Sequence, residues 1–512
     1  MTSVQSQHVA AGMSRALADV ASADVVSASV AIPNDVVVND LTLDSRAVGP
    51  GGLFLALKGR THHGLKFAPQ AVERGARAVL YEASPEVVAP DFGPGVFVAA
   101  VPQLSQRASA IADRFFGAPS QALTLAGITG TNGKTTCAWL LAQALQYCGR
   151  PAAYMGTLGY GRPPTVTPTE HTTSDAVSVQ RHLAALRSLG AECVSMEVSS
   201  HALDQDRVAG VRFNTAAFTN LTRDHLDYHG TMEAYGAAKA RLFAWPSLAN
   251  RVINVDDPFG ARLASQPSSP ARLVVTTQKG AVTRNAEYVR ATRATPDAAG
   301  LVIGLESSWG PAELTVRLVG EFNVDNVLTV LGVLLAWNIP LAQAVRALEQ
   351  CRAASGRMEM LGGRGLTPLA IVDYAHTPDA LSKALTAARL HCRGQLRVVF
   401  GCGGDRDAGK RPLMGRIAAE LADELIVTDD NPRTEDPARI VAEIVAGIAG
   451  AAPVVVEHDR AAAIRMALQR SVPDDVVLVA GKGHEDYQIY GKVRRPFVDQ
   501  AIVTAALEGR RV

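Results

Sequence analysis

The chain has 512 residues, 47% hydrophobic and 19% charged, with a formal net charge of +1. That balance fits a globular protein of several domains and gives no support for a bulk-charge surface directed at nucleic acid or an anionic membrane. No unbroken apolar run reaches the ~18 residues of a membrane span, and the longest, Val327 to Trp337, reads as a buried helix.

The N-terminus carries Asp19 and Asp24 and lacks a basic start followed by an apolar core, so no secretory leader is expected. The six cysteines are scattered without a Cys-x-x-Cys pair, which predicts free thiols in a reducing cytoplasm. Residues 1 to about 30 are Ala-, Ser- and Val-rich and suggest a helix followed by a loose connection. Leu41 to Arg46 and Leu53 to Leu57, with the polar turn Lys58 to Gly64, suggest two strands around a turn. A helix over 68–73 and strands at 78–81 and 96–99 complete a small α/β domain. Its expected end is near Ser120, where Phe116-Gly117-Ala118-Pro119 breaks the pattern.

The next stretch organises the chain. Leu123 to Ala126 is strand-like, Gly127 to Thr136 is a glycine-rich turn, and Cys137 to Cys148 has apolar residues at helical spacing. Strand, glycine turn and helix make a phosphate-binding loop, in which backbone N–H groups and the helix N-terminus face phosphate oxygens. Lys134 is placed to reach the β- and γ-phosphates and Thr135 to hold Mg²⁺. The glycine usual five residues before Gly133 is replaced by Ile128. Further strands at 193–196, 216–219 and 252–255 lead into Glu197, into Asn220 to His225 and into Asp256-Asp257, so acidic and His residues collect beyond carboxyl ends in a mostly parallel sheet. Glu197 and His225 are candidate Mg²⁺ ligands; each alone reads better as a solvated turn residue, and together with Thr135 the metal-binding reading is favoured. Lys239, on an expected helix, reads most simply as a surface lysine. Leu301 to Leu318 alternates like antiparallel strands, and a helical run extends to Trp337.

Beyond a turn-rich boundary near 355, the pattern repeats. Strands at 369–372, 396–400, 425–427 and 476–479 lead into Asp373-Tyr374-Ala375-His376, Gly401 to Arg406, Thr428 to Arg433 and Gly481 to Glu485. Arg406 and Arg433 have the guanidinium fork that binds carboxylates bidentately. Surface salt bridges, for Arg433 with Asp429 or Glu435, are the alternative. His484 and Glu485 also read as a capped helix start.

Gly130-Thr131-Asn132-Gly133-Lys134-Thr135-Thr136 resembles the ATP loop of the Mur ligases of peptidoglycan synthesis. Met196 to His201, Asn220 to Gly230, Asp373 to Pro378, Gly401 to Arg411 and Asp430-Asn431-Pro432-Arg433 resemble the branch that adds meso-diaminopimelate. The similarity runs from about Leu41 to the C-terminus. It implies an α/β fold of three domains: a small N-terminal α/β domain for the UDP-sugar (1–120), a central P-loop domain for ATP (121–354), and a Rossmann-like domain for the amino acid (355–512). It implies UDP-sugar-dipeptide contacts at Leu43, Ser45, His171, Thr172, Thr173, Ser199, Gln205 and Arg207. ATP contacts would be Gly130 to Thr136 with Asn323, Arg357 and Asp373. Diaminopimelate contacts would be Arg406, Asp430, Asn431, Pro432, Arg433, Gly481 and Glu485.

The resemblance also implies a carbamylated Lys239 as a Mg²⁺ partner beside Thr135, Glu197 and His225, with Lys134, Lys239, Glu197 and His225 as the catalytic set. The expected reaction joins meso-diaminopimelate to the D-glutamate of UDP-N-acetylmuramoyl-L-alanyl-D-glutamate through an acyl phosphate. ATP and Mg²⁺ are the expected cofactors, and a cytoplasmic monomer without nucleic-acid or membrane partners is the expected form. The rival readings are an L-lysine-adding ligase, a folylpolyglutamate synthetase and a P-loop switch without ligation chemistry.

Overall fold

The computed structural model describes residues 13–22, 31–59, 62–266, 270–280, 286–297, 300–363, 365–448 and 453–509. Two compact units emerge. The first runs to Thr276 and adds Gly280–Glu287 and Gly332–Asn338; the second comprises Thr277–Lys279, Tyr288–Leu331 and the chain from Ile339 on. The expected N-terminal helix falls mostly outside the described residues. Within them, Arg15–Ala16 pairs with Val37–Val38, and Leu17–Val20 makes one helical turn.

Besides that two-stranded pairing, the first unit contains two larger sheets. The smaller has four parallel strands in sequential order: β1 (Asp40–Thr42), β2 (Gly52–Ala56), β3 (Ala78–Glu82) and β4 (Phe97–Val101). Helix α1 (Ala68–Glu73) covers the expected residues, and α2 (Leu104–Phe115) follows β4. The expectation of two strands around a turn is corrected here. β1 and β2 are parallel, and the chain between them returns through the 3-10 turn Ser45–Ala47, capped by Asp44 accepting from the Arg46 amide. The polar turn after β2 closes separately, through a Lys58–His63 bridge.

The larger sheet of this unit begins with β5 (Thr124–Thr129), which feeds α3 (Lys134–Tyr147). It continues through β6 (Ala152–Gly156), the ribbon β7 (Gly159–Arg162) and β8 (Thr165–Thr167), and α4 (Ala176–Ser188). Next come β9 (Cys193–Glu197), α5 (Ser200–Asp204), β10 (Thr215–Phe218), α6 (Leu226–His229) and α7 (Met232–Ala240). The last elements are β11 (Asn250–Asn254), α8 (Pro258–Ala264) and β12 (Arg272–Thr277). The order is β8-β7-β6-β9-β5-β10-β11-β12, with β6 through β12 parallel apart from the ribbon. Asp175 and Asp257 cap α4 and α8 by accepting from two backbone amides each, which satisfies donors the helices leave unpaired.

The second unit has an antiparallel meander, β13 (Glu287–Asp297), β14 (Gly300–Ser307) and β15 (Ala312–Val316), as the alternation predicts. After α9 (Phe322–Ala336) and α10 (Leu341–Gln350) comes a six-stranded sheet. Its elements in chain order are β16 (Glu359–Gly362), β17 (Leu369–Asp373), α11 (Pro378–Arg389), β18 (Leu396–Phe400), α12 (Lys410–Leu421), β19 (Glu424–Val427), α13 (Pro437–Val445), β20 (Val454–Val456), α14 (Arg460–Arg470) and β21 (Val476–Ala480). A separate ribbon, β22 (Tyr487–Tyr490) and β23 (Val493–Pro496), precedes α15 (Asp499–Glu508). The sheet order is β16-β17-β21-β18-β19-β20, and only β16 is antiparallel.

Alternate strand residues face opposite cores, so these strands are apolar on both sides. Ile371, Val398, Leu425 and Leu478 pack with α11, α12 and α13; Ala370, Val399, Ile426 and Val477 pack with α14 and α15. The chain moves outward from β18 to β20 and then returns to place β21 on the other side of β18. That reversal opens a crevice at the carboxyl ends of β18 and β21.

Candidate active site

The loop after β5 is shaped by its glycines. A Cβ on Gly130 would lie 1.9 Å from Thr219 Oγ1, and Gly133, at φ +85°, turns the chain into α3. Ile128 departs from the usual pattern because it belongs to β5, where it is 1% exposed and pairs in register with Glu197 and Ala217. The loop is tied to the segment after β10. The Thr131 amide donates to Asn220 O (2.8 Å), the Asn132 amide to Asn220 Oδ1 (2.9 Å), and the Thr219 hydroxyl to Asn132 O (2.6 Å).

Two lysines converge on one loop carbonyl. Lys134 Nζ donates to Gly130 O at 2.9 Å and to Thr131 O at 2.8 Å, and Lys239 Nζ donates to Gly130 O at 2.7 Å. Lys239 is therefore no surface lysine. It is 1% exposed, on the inner face of α7, with its amine 4.4 Å from the Tyr235 ring centroid. Burial, reinforced by the Lys134 cation, pushes its amine down to about 6. Burial also lowers Lys134, against the opposing pull of Glu197 and Asp224.

Glu197, at the end of β9, is 1% exposed and receives four donors. Tyr154 Oη (2.5 Å) and the Thr157 amide (2.9 Å) reach Oε1; the hydroxyls of Thr135 (2.9 Å) and Thr157 (3.2 Å) reach Oε2. His225 stands apart. It is exposed, in the left-handed region at φ +52°, with its ring edge-on to His201 at 4.8 Å, and it makes no hydrogen bond to Thr135 or Glu197. His201 and His229 are both held below the ordinary histidine value, first by burial and then by neighbouring cations.

The expected UDP-sugar residues divide between two places. Leu43 and Ser45 line a cavity of about 1170 Å³, together with Gln70, Arg181 and His182. Ser45 Oγ donates to Gln70 Oε1 (2.7 Å), and Arg181 donates to Asp40 and to Leu41 O. His182 stacks on Tyr160 at 3.9 Å, and burial lowers it to about 4, so the ring is neutral at pH 7. The other residues lie beside Glu197. The hydroxyls of Thr172 and Thr157 lie 3.1 Å apart, and Thr173 Oγ1 donates to Glu197 O and accepts from the Ser199 amide. Arg207 bridges Gln205 and Thr173 O. His171 is exposed.

In the second unit, Asn323 is buried at the start of α9 and donates to Val319 O (2.8 Å). The Arg357 guanidinium lies over Tyr374 at 5.3 Å, with its buried Nε lacking a hydrogen-bond partner. The Asp373 carboxylate accepts from the Met358 amide, and burial raises its pKa.

The loops after β18, β19 and β21 bring the expected diaminopimelate residues to the crevice. Gly481, at φ +112°, leaves room for Asp430, whose Oδ2 would sit 2.6 Å from a Cβ there. Asp430 is 7% exposed, and burial raises its pKa against the pull of Lys482 and Arg460. Asn431 Nδ2 donates to Glu485 Oε2 (2.8 Å), which also accepts from Lys482 (3.0 Å).

Arg433 has a left-handed backbone (φ +51°), and its guanidinium donates to Gly404 O at 2.7 Å. Neither surface partner considered for it is available. Asp429 holds His458 and Tyr490, while Glu435 holds Arg411. No carboxylate forms an ion pair with Arg433 among the described residues. Arg406 is exposed nearby, its Cγ 3.8 Å from the Cβ position of Gly403.

Three family profiles match in succession: "Mur ligase family, catalytic domain" over residues 37–114, "Mur ligase middle domain" over 128–334, and "Mur ligase, glutamate ligase domain" over 356–483. Over 467 residues, 91% of this chain and 94% of the relative, the sequence is 50% identical to UDP-N-acetylmuramoyl-L-alanyl-D-glutamate–2,6-diaminopimelate ligase of Ectopseudomonas mendocina (strain ymp). The chain belongs to the Mur ligase family.

The same-named protein of Pseudomonas aeruginosa is 49% identical over 90% of this chain and 93% of its own length. A solved structure of a protein so named is 35% identical, with a TM-score of 0.73, over 96% of this chain and 99% of that one. MurF from Acinetobacter baumannii shares the fold at 18% identity and a TM-score of 0.58, covering 99% of this chain and 98% of that one. The three profile segments give the Mur ligase chain its N-terminal, central and C-terminal domains, of which the first two lie mostly in the first compact unit.

The family implies Mg²⁺, and the donors at the loop suit it. Thr135 and Glu197 offer hard oxygens 2.9 Å apart beside the glycine-rich loop. Among the described residues no group of three or more His, Cys, Asp or Glu could hold a metal. A Mg²⁺ ion that uses one or two protein oxygens and the substrate's phosphates needs no such group.

Sequence reasoning missed Tyr154, Thr157, Arg181, His182 and Lys482. Tyr154 and Thr157 flank the carboxyl end of β6, a position that singles them out once the sheet is known to be parallel. Lys482 sits inside the Gly481 to Glu485 loop and is 0% exposed.

Proposed function

We propose that this Mur ligase joins meso-diaminopimelate to the D-glutamate of UDP-N-acetylmuramoyl-L-alanyl-D-glutamate, at the expense of ATP, in peptidoglycan precursor synthesis. The observation that carries the reading is the 50% identity, along nine-tenths of the chain, to an enzyme bearing that name. The Arg433 guanidinium, which meets the Gly404 carbonyl and no carboxylate among the described residues, supports the choice of amino acid.

In this reading the Gly130–Gly133 loop and Lys134 receive the triphosphate. Lys134 leaves the carbonyls of Gly130 and Thr131 for phosphate oxygens, a small movement that replaces two neutral acceptors by a charged one. Thr135 and Glu197 would hold Mg²⁺, with His225 and a carbamate on Lys239 as further candidates. Mg²⁺ held there would offset negative charge on the transferring phosphoryl group. The D-glutamate carboxylate attacks the γ-phosphorus, ADP leaves, and an acyl phosphate forms. The neutral amine of diaminopimelate attacks the acyl carbon, and the tetrahedral species loses the nitrogen's proton to solvent and expels phosphate to give the amide.

The cavity lined by Leu43 and Ser45 would take the nucleotide end of the substrate, and Thr172, Thr173, Ser199, Gln205 and Arg207 its peptide end. Asn323, Arg357 and Asp373 are further ATP contacts in this reading. Arg433 would bind the far carboxylate of diaminopimelate through two parallel N–H···O bonds, with Arg406, Asp430, Asn431, Gly481 and Glu485 around the rest. A cytoplasmic monomer is the form proposed. Among the described residues, no helix is long and apolar enough to cross a membrane.

A ligation assay tests the proposal. Purified chain, ATP, Mg²⁺ and the UDP-muramoyl-dipeptide are mixed with meso-diaminopimelate or L-lysine, and product and ADP are counted. One ADP per tripeptide, with strong preference for diaminopimelate, is expected. ADP release without amide, or preference for lysine, would refute it.

A further inference from the structure

One element of the second unit has no part in the reaction described above. The ribbon β22–β23 lies outside the six-stranded sheet, and every residue of β23 is exposed. Two strands alone are marginal in water, so the ribbon's conformation depends on what it is bonded to. Its bonds converge on residues 429–433.

Gln488 Nε2, on a side chain only 7% exposed, donates to Asp429 O (3.2 Å) and Asp430 O (3.1 Å). The Ile489 amide donates to Asn431 Oδ1 (3.0 Å). Tyr490 Oη donates to Asp429 Oδ2 (3.0 Å), whose other oxygen pairs with His458 Nδ1 (2.7 Å). The Arg433 amide donates to Ile489 O (3.0 Å), and Arg433 O accepts from the Gly491 amide (2.6 Å).

We propose that this ribbon is the template that positions the amino-acid loop, with Gln488 and Tyr490 as positioning residues that set the choice of amino acid. The inference rests on the proposed function and deepens it. An arginine is rarely left-handed. Arg433 holds φ +51° with its own amide and carbonyl both clamped by the ribbon. Released from that clamp, the backbone would return to a commoner region and carry the guanidinium away from the crevice.

Asn431 is oriented by the same means. The Ile489 amide can only donate, so it must face the amide oxygen of Asn431, and the nitrogen is thereby turned to Glu485. Gln488 and Tyr490 themselves contact the loop's backbone and Asp429; they act through Arg433 and Asn431. L-Lysine has no far carboxylate, so a misplaced Arg433 should harm diaminopimelate selectively.

The test uses the full chain with Tyr490→Phe, which removes one hydroxyl, and Gln488→Glu, which keeps the size and sets an acceptor against two carbonyls. Initial rates are measured with meso-diaminopimelate and L-lysine, together with KM for ATP and for the UDP-muramoyl-dipeptide and the unfolding temperature. A displacement of about 1 Å at a reacting group can cost on the order of 100-fold. We expect losses in kcat/KM for diaminopimelate of roughly that size for Gln488→Glu and roughly tenfold for Tyr490→Phe. The diaminopimelate-to-lysine ratio should fall in step, with KM for ATP and the nucleotide within about twofold of wild type.

Equal losses for both amino acids, with or without a lower unfolding temperature, would mark the ribbon as merely structural and overturn the inference. A wild-type preference that both variants keep would also overturn it while leaving the proposed function standing. A wild-type chain without preference for diaminopimelate would overturn the proposed function, and this inference with it.

Discussion

Replacing Lys239 by methionine should make the protein more stable and leave it inactive. The lysine amine, ordinarily near 10.5, is pushed down to about 6 by burial and by the Lys134 cation. In the unfolded chain it takes up a proton at pH 7; in the folded chain it does not. The unfolded state therefore binds more protons between about pH 6 and 10.5, and stability rises with pH across that window. At about 1.4 kcal/mol per pH unit, keeping the buried amine neutral costs about 5 kcal/mol at pH 7 and about 2 kcal/mol at pH 9. Against this stands the bond from Lys239 Nζ to Gly130 O, worth about 1 kcal/mol.

Methionine keeps the length of the side chain without the titration. In carbon-dioxide-free buffer Lys239→Met should therefore unfold at a higher temperature than wild type at pH 7. The gap should shrink by about 3 kcal/mol, or roughly 6–12 °C at 2–4 °C per kcal/mol, on going to pH 9. A gap that does not change with pH would show that the amine stays charged in the fold and would refute the reasoning. The same depressed affinity bears on carbamylation. At pH 7 an amine of pKa about 6 is about nine-tenths neutral, against fewer than about one in a thousand for an ordinary lysine. The neutral form is the one that can attack carbon dioxide. Added bicarbonate should accordingly stabilise wild type and have no effect on Lys239→Met.

Lys134→Ala should lower kcat by about 10²-fold or more, as removal of a phosphate-facing cation does. It should also raise the affinity of Lys239 for its proton, followed by the pH dependence of unfolding. Glu197→Gln should shift the Mg²⁺ titration of ADP release to higher concentration and cost about 1–3 kcal/mol of stability, read by thermal unfolding, because its four donors lose a charged acceptor. Arg433→Ala should lower kcat/KM for diaminopimelate by roughly 10²–10³-fold with little change for lysine, and Arg433→Lys should recover little, since an ammonium lacks the fork. An unchanged ratio of the two amino acids in both variants would remove Arg433 from the specificity argument.

The alternation of apolar runs and loops made the two larger parallel sheets legible, and with them the positions beyond the strand ends. Helix α1 was legible to the residue. The pairing of β1 with β2 was not, because a short connection between two apolar runs suggests a hairpin. The 3-10 turn that lets the chain return parallel is a local hydrogen bond from Arg46 to Asp44. Lys239 was misread because helical spacing defines a face without saying what covers it. Gly236, whose Cβ would lie 2.6 Å from Phe259, marks the close packing that buries this helix. Lys482 escaped notice for the same reason: a lysine in a glycine-rich loop looks solvated until the strand partners of that loop are known.

Availability of charge depends on partners far apart in sequence, and the arginines of the second unit differ in it. Arg397 meets Glu424 and Asp475, Arg411 meets Glu435 and Glu443, and Arg460 meets Asp499, all with guanidiniums that are nearly or fully buried. Each would be costly to leave buried without its carboxylates. Arg433, in the same unit, has a carbonyl where those have acids. In the first unit, Lys134 likewise donates to the carbonyls of Gly130 and Thr131. A cation bonded to a carbonyl exchanges it for an anion at little cost in geometry and with a gain in charge pairing. A triphosphate and an amino-acid carboxylate are anions of the kind that these two places lack.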